Sequence, residues 1–252
     1  SVPQWGNDGF DTKNTGKTNY TGNSNGAAIW NYVVSGSQIN GSMAIDNAGN
    51  IYLTGSFQGT ADFDPGNDAT KLTSAGENDV FVCKISTEGN LIWARQLGGL
   101  NNDVGTAIAV DNNQNVYTTG NFIGTGDFNP SMTRYSLNSY GETDIFVSKL
   151  NSAGDFVWAK QLGGSDNDSI FDIALDAEGS VYTIGCFKGT ADFDPGTGDS
   201  SYASNGNYDI FICKLKNTGL YDWVMQIGGT GNDIGKSIVL DSNYKIYATG
   251  QF

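Results

Sequence analysis

The chain has 252 residues, 35 of them Gly and only 3 Met, carries 13 Lys+Arg against 27 Asp+Glu for a net charge of −14, and contains no His. That balance repels a phosphate backbone or an anionic lipid surface and excludes nucleic acid as an expected partner; the lack of His removes the commonest general base and metal ligand. No apolar run approaches the ~18 residues of a membrane-spanning helix, so insertion by such a helix is not expected.

In chain order, residues 1–29 match nothing else and are dense in Gly, Asn and Thr, the residues of turns and loops. They are expected to form a leader or closure segment. The opening at Ser1, without a Met, suits a mature exported protein whose signal has been removed, and equally a trimmed fragment.

From residue 30 to 252 one pattern recurs. Its first trace is "AAIWNYVVSG" around Trp30, which aligns with "LIWARQLGG", "FVWAKQLGG" and "YDWVMQIGG", ending at Gly99, Gly164 and Gly229. Between these lie "MAIDNAGNIYLTGSF" from Met43 and its counterparts from Ala107, Ile173 and Ile238, so that Asp46, Asp111, Asp176 and Asp241 stand 65 residues apart. A constant period marks one supersecondary unit that cannot bury its apolar faces alone and stacks on copies of itself.

Within one period four strands are predicted. "TAIAVD" turns at "DNNQN" into "VYTTGNF", and "DIFVSKL" turns at "NSAGD" into "FVWAKQL". Asp, Asn and Gly stand where positive φ is needed, which makes both turns tight hairpins. No apolar spacing of helical period is sustained, so the fold class is all-β. On the second strand Val116, Thr118, Gly120 and Phe122 face one way and Tyr117, Thr119 and Asn121 the other, with neither side strongly polar. A sheet apolar on both faces wants a sheet on each side, as in a β-propeller of four-stranded antiparallel blades; a two-sheet sandwich leaves each strand one wet face.

These motifs, "D-x-x-G-N-x-Y-x-T-G-x-F-x-G-T-x-D-F-D-P-G" with "D-x-F-V-x-K-L" and "W-A-K-Q-L-G-G", resemble the SBBP β-propeller repeat of secreted bacterial proteins, notably those of Bacteroidota, over residues 30–252. The stretch from Trp5 to Gly22 more weakly resembles the leader of PQQ-like propellers, without implying a bound quinone. The resemblance implies extracellular or cell-surface scaffolding and binding roles and no shared catalytic residues. The chain holds about four blades. Closure into a four-bladed ring needs the Trp30 strand to complete the last blade, and membership of a larger ring is favoured because residues 1–29 contain no "D-x-F-V-x-K-L" and Phe252 falls in mid-repeat.

The connection between second and third strands, such as 58–78, is a loop of about 20 residues where a tight hairpin needs ~2–5. Strand reversal puts it on the same rim as the segment after the fourth strand, which gathers Asp62, Asp64, Asp127, Asp192 and Asp194 with Asp103, Asp168 and Asp233. Two readings stand side by side. In one, each Asp caps a turn by accepting backbone N–H groups. In the other, Asp62, Asp64 and Asp68, and again Asp192, Asp194 and Asp199, supply carboxylates to Ca²⁺, a hard cation with 6–8 oxygen ligands; the second copy, with only Asp127 and Asn129, binds weakest. Phe63, Phe128 and Phe193 are expected to pin these loops to the sheet edge ahead of stacking on sugars, and Trp93, Trp158 and Trp223 to pack in the core.

Cys83 and Cys213 share a repeat position that Ser148 fills in the copy between them, which favours small buried residues over a disulfide framework. A Cys186–Cys213 bridge is the minor alternative. No nucleophile elbow, phosphate loop or unrepeated constellation of catalytic type occurs. The expected function is a non-enzymatic, secreted or cell-surface interaction platform for protein or glycan partners. The runner-up is a lectin-like module with one carbohydrate site per blade.

Overall fold

The computed structural model describes residues 41–64, 66 and 68–252. The leader at 1–29 and the strand expected around Trp30 lie outside the described residues. Every regular element among those described is a β-strand, and none is a helix.

Strands β1 (Ser42–Ile45), β2 (Ile51–Asp62), β3 (Lys71–Ile85) and β4 (Leu91–Gly99) pair in chain order, each antiparallel to the next. The same order returns in β5 (Val104–Val110), β6 (Val116–Phe122), β9 (Asp144–Leu150) and β10 (Phe156–Gly164). It returns again in β11 (Ser169–Leu175), β12 (Val181–Asp192), β13 (Ser201–Leu215) and β14 (Tyr221–Ile227). A last hairpin joins β15 (Ile234–Leu240) to β16 (Ile246–Gln251).

The hairpins close on their aspartates. Asp111 Oδ1 accepts the N–H groups of Asn113 and Asn115, both at 2.9 Å, while Oδ2 accepts the Asn115 side chain at 2.8 Å and the Tyr117 hydroxyl at 3.2 Å. Asp46 does the same for Ala48, Asn50 and Tyr52. The spacing of Asp, Asn and Tyr in the repeat is therefore the hydrogen-bonding reach of one carboxylate. The Lys of the third strand then lies over the Tyr ring, with Lys149 Nζ 4.8 Å from the Tyr117 centroid, a cation–π contact that leaves its stem packed in the sheet.

Both faces of the middle sheet are buried, as the alternation predicts. Val116, Phe122 and Phe146 pack with Tyr52, Val82, Trp93 and Leu97 of the preceding sheet. Tyr117, Ile145, Val147 and Trp158 pack with Ile170, Ile173, Phe211 and Cys213 of the following one. Trp93 and Trp158 also reach across: their Nε1–H groups donate to the carbonyls of Ser152 and Asn217, in the turn before the next sheet's last strand.

The connection expected as a long loop is instead a bent hairpin ribbon. β2 and β3 stay paired out to Asp62↔Lys71, with a bulge between Gln58 and Thr60. Gly59 takes φ +67° there, a left-handed conformation that side chains resist. In the second copy β7 (Thr125–Asp127) and β8 (Ser136–Asn138) form the same ribbon as separate strands. The second and third ribbons bond backward to the preceding sheet, through Gly98↔Asp127 and Gly99↔Gly126, and through Gly163↔Asp192 and Gly164↔Ala191. The double glycine is required by this contact: a Cβ on Gly99 would lie 2.1 Å from the Thr125 carbonyl oxygen.

Cys83, Cys186 and Cys213 are all buried. Cys213 pairs with Thr183 and Cys186 with Ile210. Three residues apart along β12, the two positions face opposite sides of the sheet, and both are free thiols. Burial pushes the Cys186 thiol up to about 11, with Lys236 opposing, and pushes Cys213 further in the same direction.

Candidate functional site

The ribbon tips carry the aspartates proposed for metal. Asp62 Oδ1 accepts the N–H groups of Asp64 at 3.1 Å and Thr70 at 2.9 Å, and Asp64 Oδ1 accepts that of Gly66 at 2.8 Å. Asp192 bonds Asp194 and Ser200, both at 2.9 Å, Asp194 bonds Gly196 at 2.8 Å, and Asp199 bonds Ser201 at 3.0 Å. Asp68 is exposed. Asp127 repeats the pattern with Asn129 and Tyr135. Among the described residues no group of three or more His, Cys, Asp or Glu side chains is arranged to hold a metal ion. These bonds are those of turn capping: Asp62, Asp127 and Asp192 accept from the N–H groups two and eight residues ahead, and Asp64, Asp194 and Asp199 from the one two ahead.

Phe63, Phe128 and Phe193 sit beneath these tips and are almost wholly buried. Phe128 lies edge-on to Phe122 at 5.3 Å and tilted against Phe146 at 4.8 Å between centroids. Their faces are spent on the core, which leaves none for a sugar. Asp103 and Asp168 do meet the segment after the second strand, as strand reversal implies, but with Asp233 they are buried rather than rim-exposed: Asp103 accepts Gly99 N–H at 2.6 Å and Ile123 N–H at 3.2 Å, and Asp168 accepts Lys188 N–H at 3.2 Å.

The site that sequence reasoning missed lies between sheets. A groove of about 720 Å³ runs beside β4, floored by Ala94, Gln96 and Gly98 and walled by Leu72 and Ala75 of the sheet's own ribbon and by Asp127, Pro130 and Arg134 of the next. Arg134 is exposed and pairs with Asp127 at 3.5 Å. Arg95 closes the far end, donating to the carbonyls of Gly154 and Ala153 at 2.9 Å each and of Ala94 at 2.9 Å. Leu100 stands at the mouth, 73% exposed.

One repeat further on, a hollow of about 240 Å³ occupies the equivalent place, between Ala159, Lys160 and Gln161 of β10, Leu137 and Tyr140 of the ribbon, and Pro195 of the next ribbon. Tyr135 lines it and stacks on Phe156 at 4.8 Å. The frame is the same and the lining differs: Arg95 becomes Lys160, and Ala75 becomes Tyr140. The positions were visible as variable residues in a constant repeat, but nothing in the spacing showed that the ribbon folds back to make a wall. The first groove has a mainly apolar lining with exposed charge beside it, and the second a mainly polar one.

Residues 92–126 match the model of the SBBP β-propeller repeat. That window starts on β4 and ends on β7, and so spans the double glycine, Asp103 and the Asp111 hairpin. An uncharacterized WD repeat-containing protein of Acanthamoeba polyphaga mimivirus is 24% identical over 238 residues, covering 83% of this chain and 17% of that protein. The regulatory protein FlaEY of Caulobacter vibrioides is 29% identical over 133 residues, covering 51% of this chain and 14% of its own length. The chain thus spans about a sixth or less of the relatives it matches. Among the described residues the sheets are antiparallel and the regular structure is all β, and residues 92–126 are similar to a β-propeller repeat.

Proposed function

We propose that this chain is a run of four-stranded propeller blades on a 65-residue repeat, and that it serves as a non-enzymatic platform for protein partners outside the cell. The observation that carries the reading is the groove beside β4 and its counterpart beside β10, where a constant backbone frame presents different side chains. Propeller and WD repeats generally mediate protein interactions, and one relative is described by that repeat. The extracellular placement is supported by the resemblance of the repeat to secreted bacterial propellers. The non-enzymatic character is supported by the recurrence of the buried aspartates across copies, at Asp103, Asp168 and Asp233, where a catalytic constellation would stand once.

A lectin-like role is the second reading, and Tyr135 with Tyr140 in the second groove favours it, since exposed Tyr rings stack on sugars. Photo-cross-linking residues placed at Leu100 and at Tyr140 separate the two. A discrete protein adduct from native extract, kept in excess free sugar and lost in Arg134→Glu, supports the platform. Glycan-array binding competed by free sugar and lost in Tyr140→Ala supports the lectin. Neither adduct nor glycan binding overturns both, and turnover of any substrate in a broad panel overturns the non-enzymatic assignment.

A further inference from the structure

Beneath each double glycine two buried aspartates approach one another. Asp79 and Asp144 lie on third strands and Asp103 and Asp168 follow the double glycine; all four have no exposed surface. Asp103 and Asp168 spend both oxygens: Oδ2 accepts Gly99 or Gly164 N–H at 2.6 and 2.7 Å, and Oδ1 accepts Ile123 or Lys188 N–H at 3.2 Å in each. Asp79 and Asp144 spend only Oδ2, on Ala75 and Tyr140 N–H and on the amides of Gln96 and Gln161. The Oδ1 atoms of Asp79 and Asp144 are buried with no hydrogen-bond partner among the described residues.

In the second and third copies the orphaned oxygen borders its neighbour, and the first copy repeats the hydrogen bonds of the second one for one. A Cβ built on Gly163 would lie 2.7 Å from Asp168 Oδ2 and 3.3 Å from Asp144 Oδ1. One built on Gly228, in the third copy, would lie 2.7 Å from Asp209 Oδ1 and 2.9 Å from Asp233 Oδ2. Oxygens of two carboxyl groups therefore border one small space that the glycine leaves open.

Two carboxylates facing each other away from water cannot both stay ionised, and a buried oxygen without a donor is costly. A metal ion of the Ca²⁺ type needs 6–8 oxygens, and no third acidic side chain joins either pair. A proton needs only the two oxygens. We propose that Asp79 with Asp103, and Asp144 with Asp168, are proton-binding sites, each sharing one proton between Oδ1 of the strand aspartate and Oδ2 of the aspartate after the double glycine.

The electrostatic surroundings agree. Burial pushes Asp103 up to about 7, the Gly99 and Ile123 amides opposing and Asp79 adding to the rise. Burial pushes Asp168 up to about 7 likewise, with Asp144 and Asp166 adding; Asp79 and Asp144 are also raised by burial. The titration belongs to each pair as a unit. Of the nearby groups, Asp166 adds to the rise at Asp168, Asp168 adds to that of the Cys186 thiol and the Tyr208 hydroxyl, Glu142 acts on Tyr208, and Lys236 opposes the rise at Cys186. No Lys or Arg among the described residues forms an ion pair with any of the four aspartates. Because the folded pKa stands above the unfolded one, the proton's contribution to stability is full below about pH 4 and is lost as pH rises through about 7.

Carboxyl-¹³C NMR on the whole chain, labelled at Asp Cγ, tests this directly. At least two Asp resonances are expected at the protonated position at pH 6 and should move to the ionised position by pH 8.5. All Asp carboxyls ionised at pH 6 would overturn the proposal. Asp144→Asn is the second arm, because its amide keeps the acceptor oxygen and places an N–H donor where the shared proton sits. The variant is expected to melt with wild type at pH 5 and above it at pH 8.5, with one protonated resonance gone. A midpoint lowered equally at both pH values would also overturn the shared proton.

Discussion

The indole of Trp158, on β10, donates to the carbonyl of Asn217 at 3.0 Å, in the turn between β13 and β14 of the following sheet. Gly219 lies under the same ring, where a Cβ would come within 2.9 Å of Cδ2, and its φ is +77°. Trp→Ala here should cost ~3–5 kcal/mol, the range for emptying a large buried aromatic site. Trp158→Phe should cost about 1 kcal/mol for the lost hydrogen bond plus the lost ring area. Gly219→Ala should destabilise with Trp158 intact, which isolates the turn's side of the contact. Urea unfolding of each variant measures all three.

The first hairpin's aspartate predicts an acid limit. At Asp46 burial opposes ionisation, yet the hydrogen bonds from Asn50, Tyr52 and Ala48 together outweigh it and hold the carboxyl below its ordinary range. The folded pKa is depressed, so its stabilisation is present above about pH 4 and is lost as pH falls through the folded value. Asp46→Ala should lose about 1–3 kcal/mol at pH 7 by leaving those donors unmatched, and the difference from wild type should shrink below pH 4. Thermal melts at pH 7 and pH 3 check the sign.

Native protein should react slowly with a thiol reagent at pH 8, since Cys186 and Cys213 are buried and held protonated. After denaturation without reductant both should react at once. A total of one thiol per denatured chain would restore the Cys186–Cys213 bridge.

The ribbon-tip aspartates should behave as turn caps. EDTA followed by millimolar Ca²⁺ is expected to leave the melting midpoint unchanged, and Asp192→Ala to cost ~0.5–2 kcal/mol, a figure borrowed from comparable side-chain caps. A calcium-dependent rise in the midpoint, abolished in Asp192→Ala, would return these residues to the metal reading.

Much of this arrangement follows from period and alternation. Val116 against Tyr117 on β6 already told that both faces are dry, and Asp111, Asn115 and Tyr117 already marked the hairpin. What the spacing did not show was the course of 58–78. Its alternation at Lys71, Leu72 and Thr73 is short, and Gly59 looks like a loop residue until its bulge is seen to turn a ribbon. The groove was hidden for the same reason, since its wall comes from a ribbon that pairs backward through main-chain atoms. The fate of Asp168 was hidden by burial: as a letter it looks like a rim carboxylate, and only packing sets it beside Asp144.

The clasp between sheets is made of backbone, Gly98 and Gly99 against Gly126 and Asp127. A joint built from main chain is indifferent to the side chains around it. Position 95 is accordingly Arg, its counterparts Lys160 and Met225, while position 75 is Ala, its counterparts Tyr140 and Asn205. Each junction can therefore vary the side chains it displays at these positions around an unchanged backbone clasp.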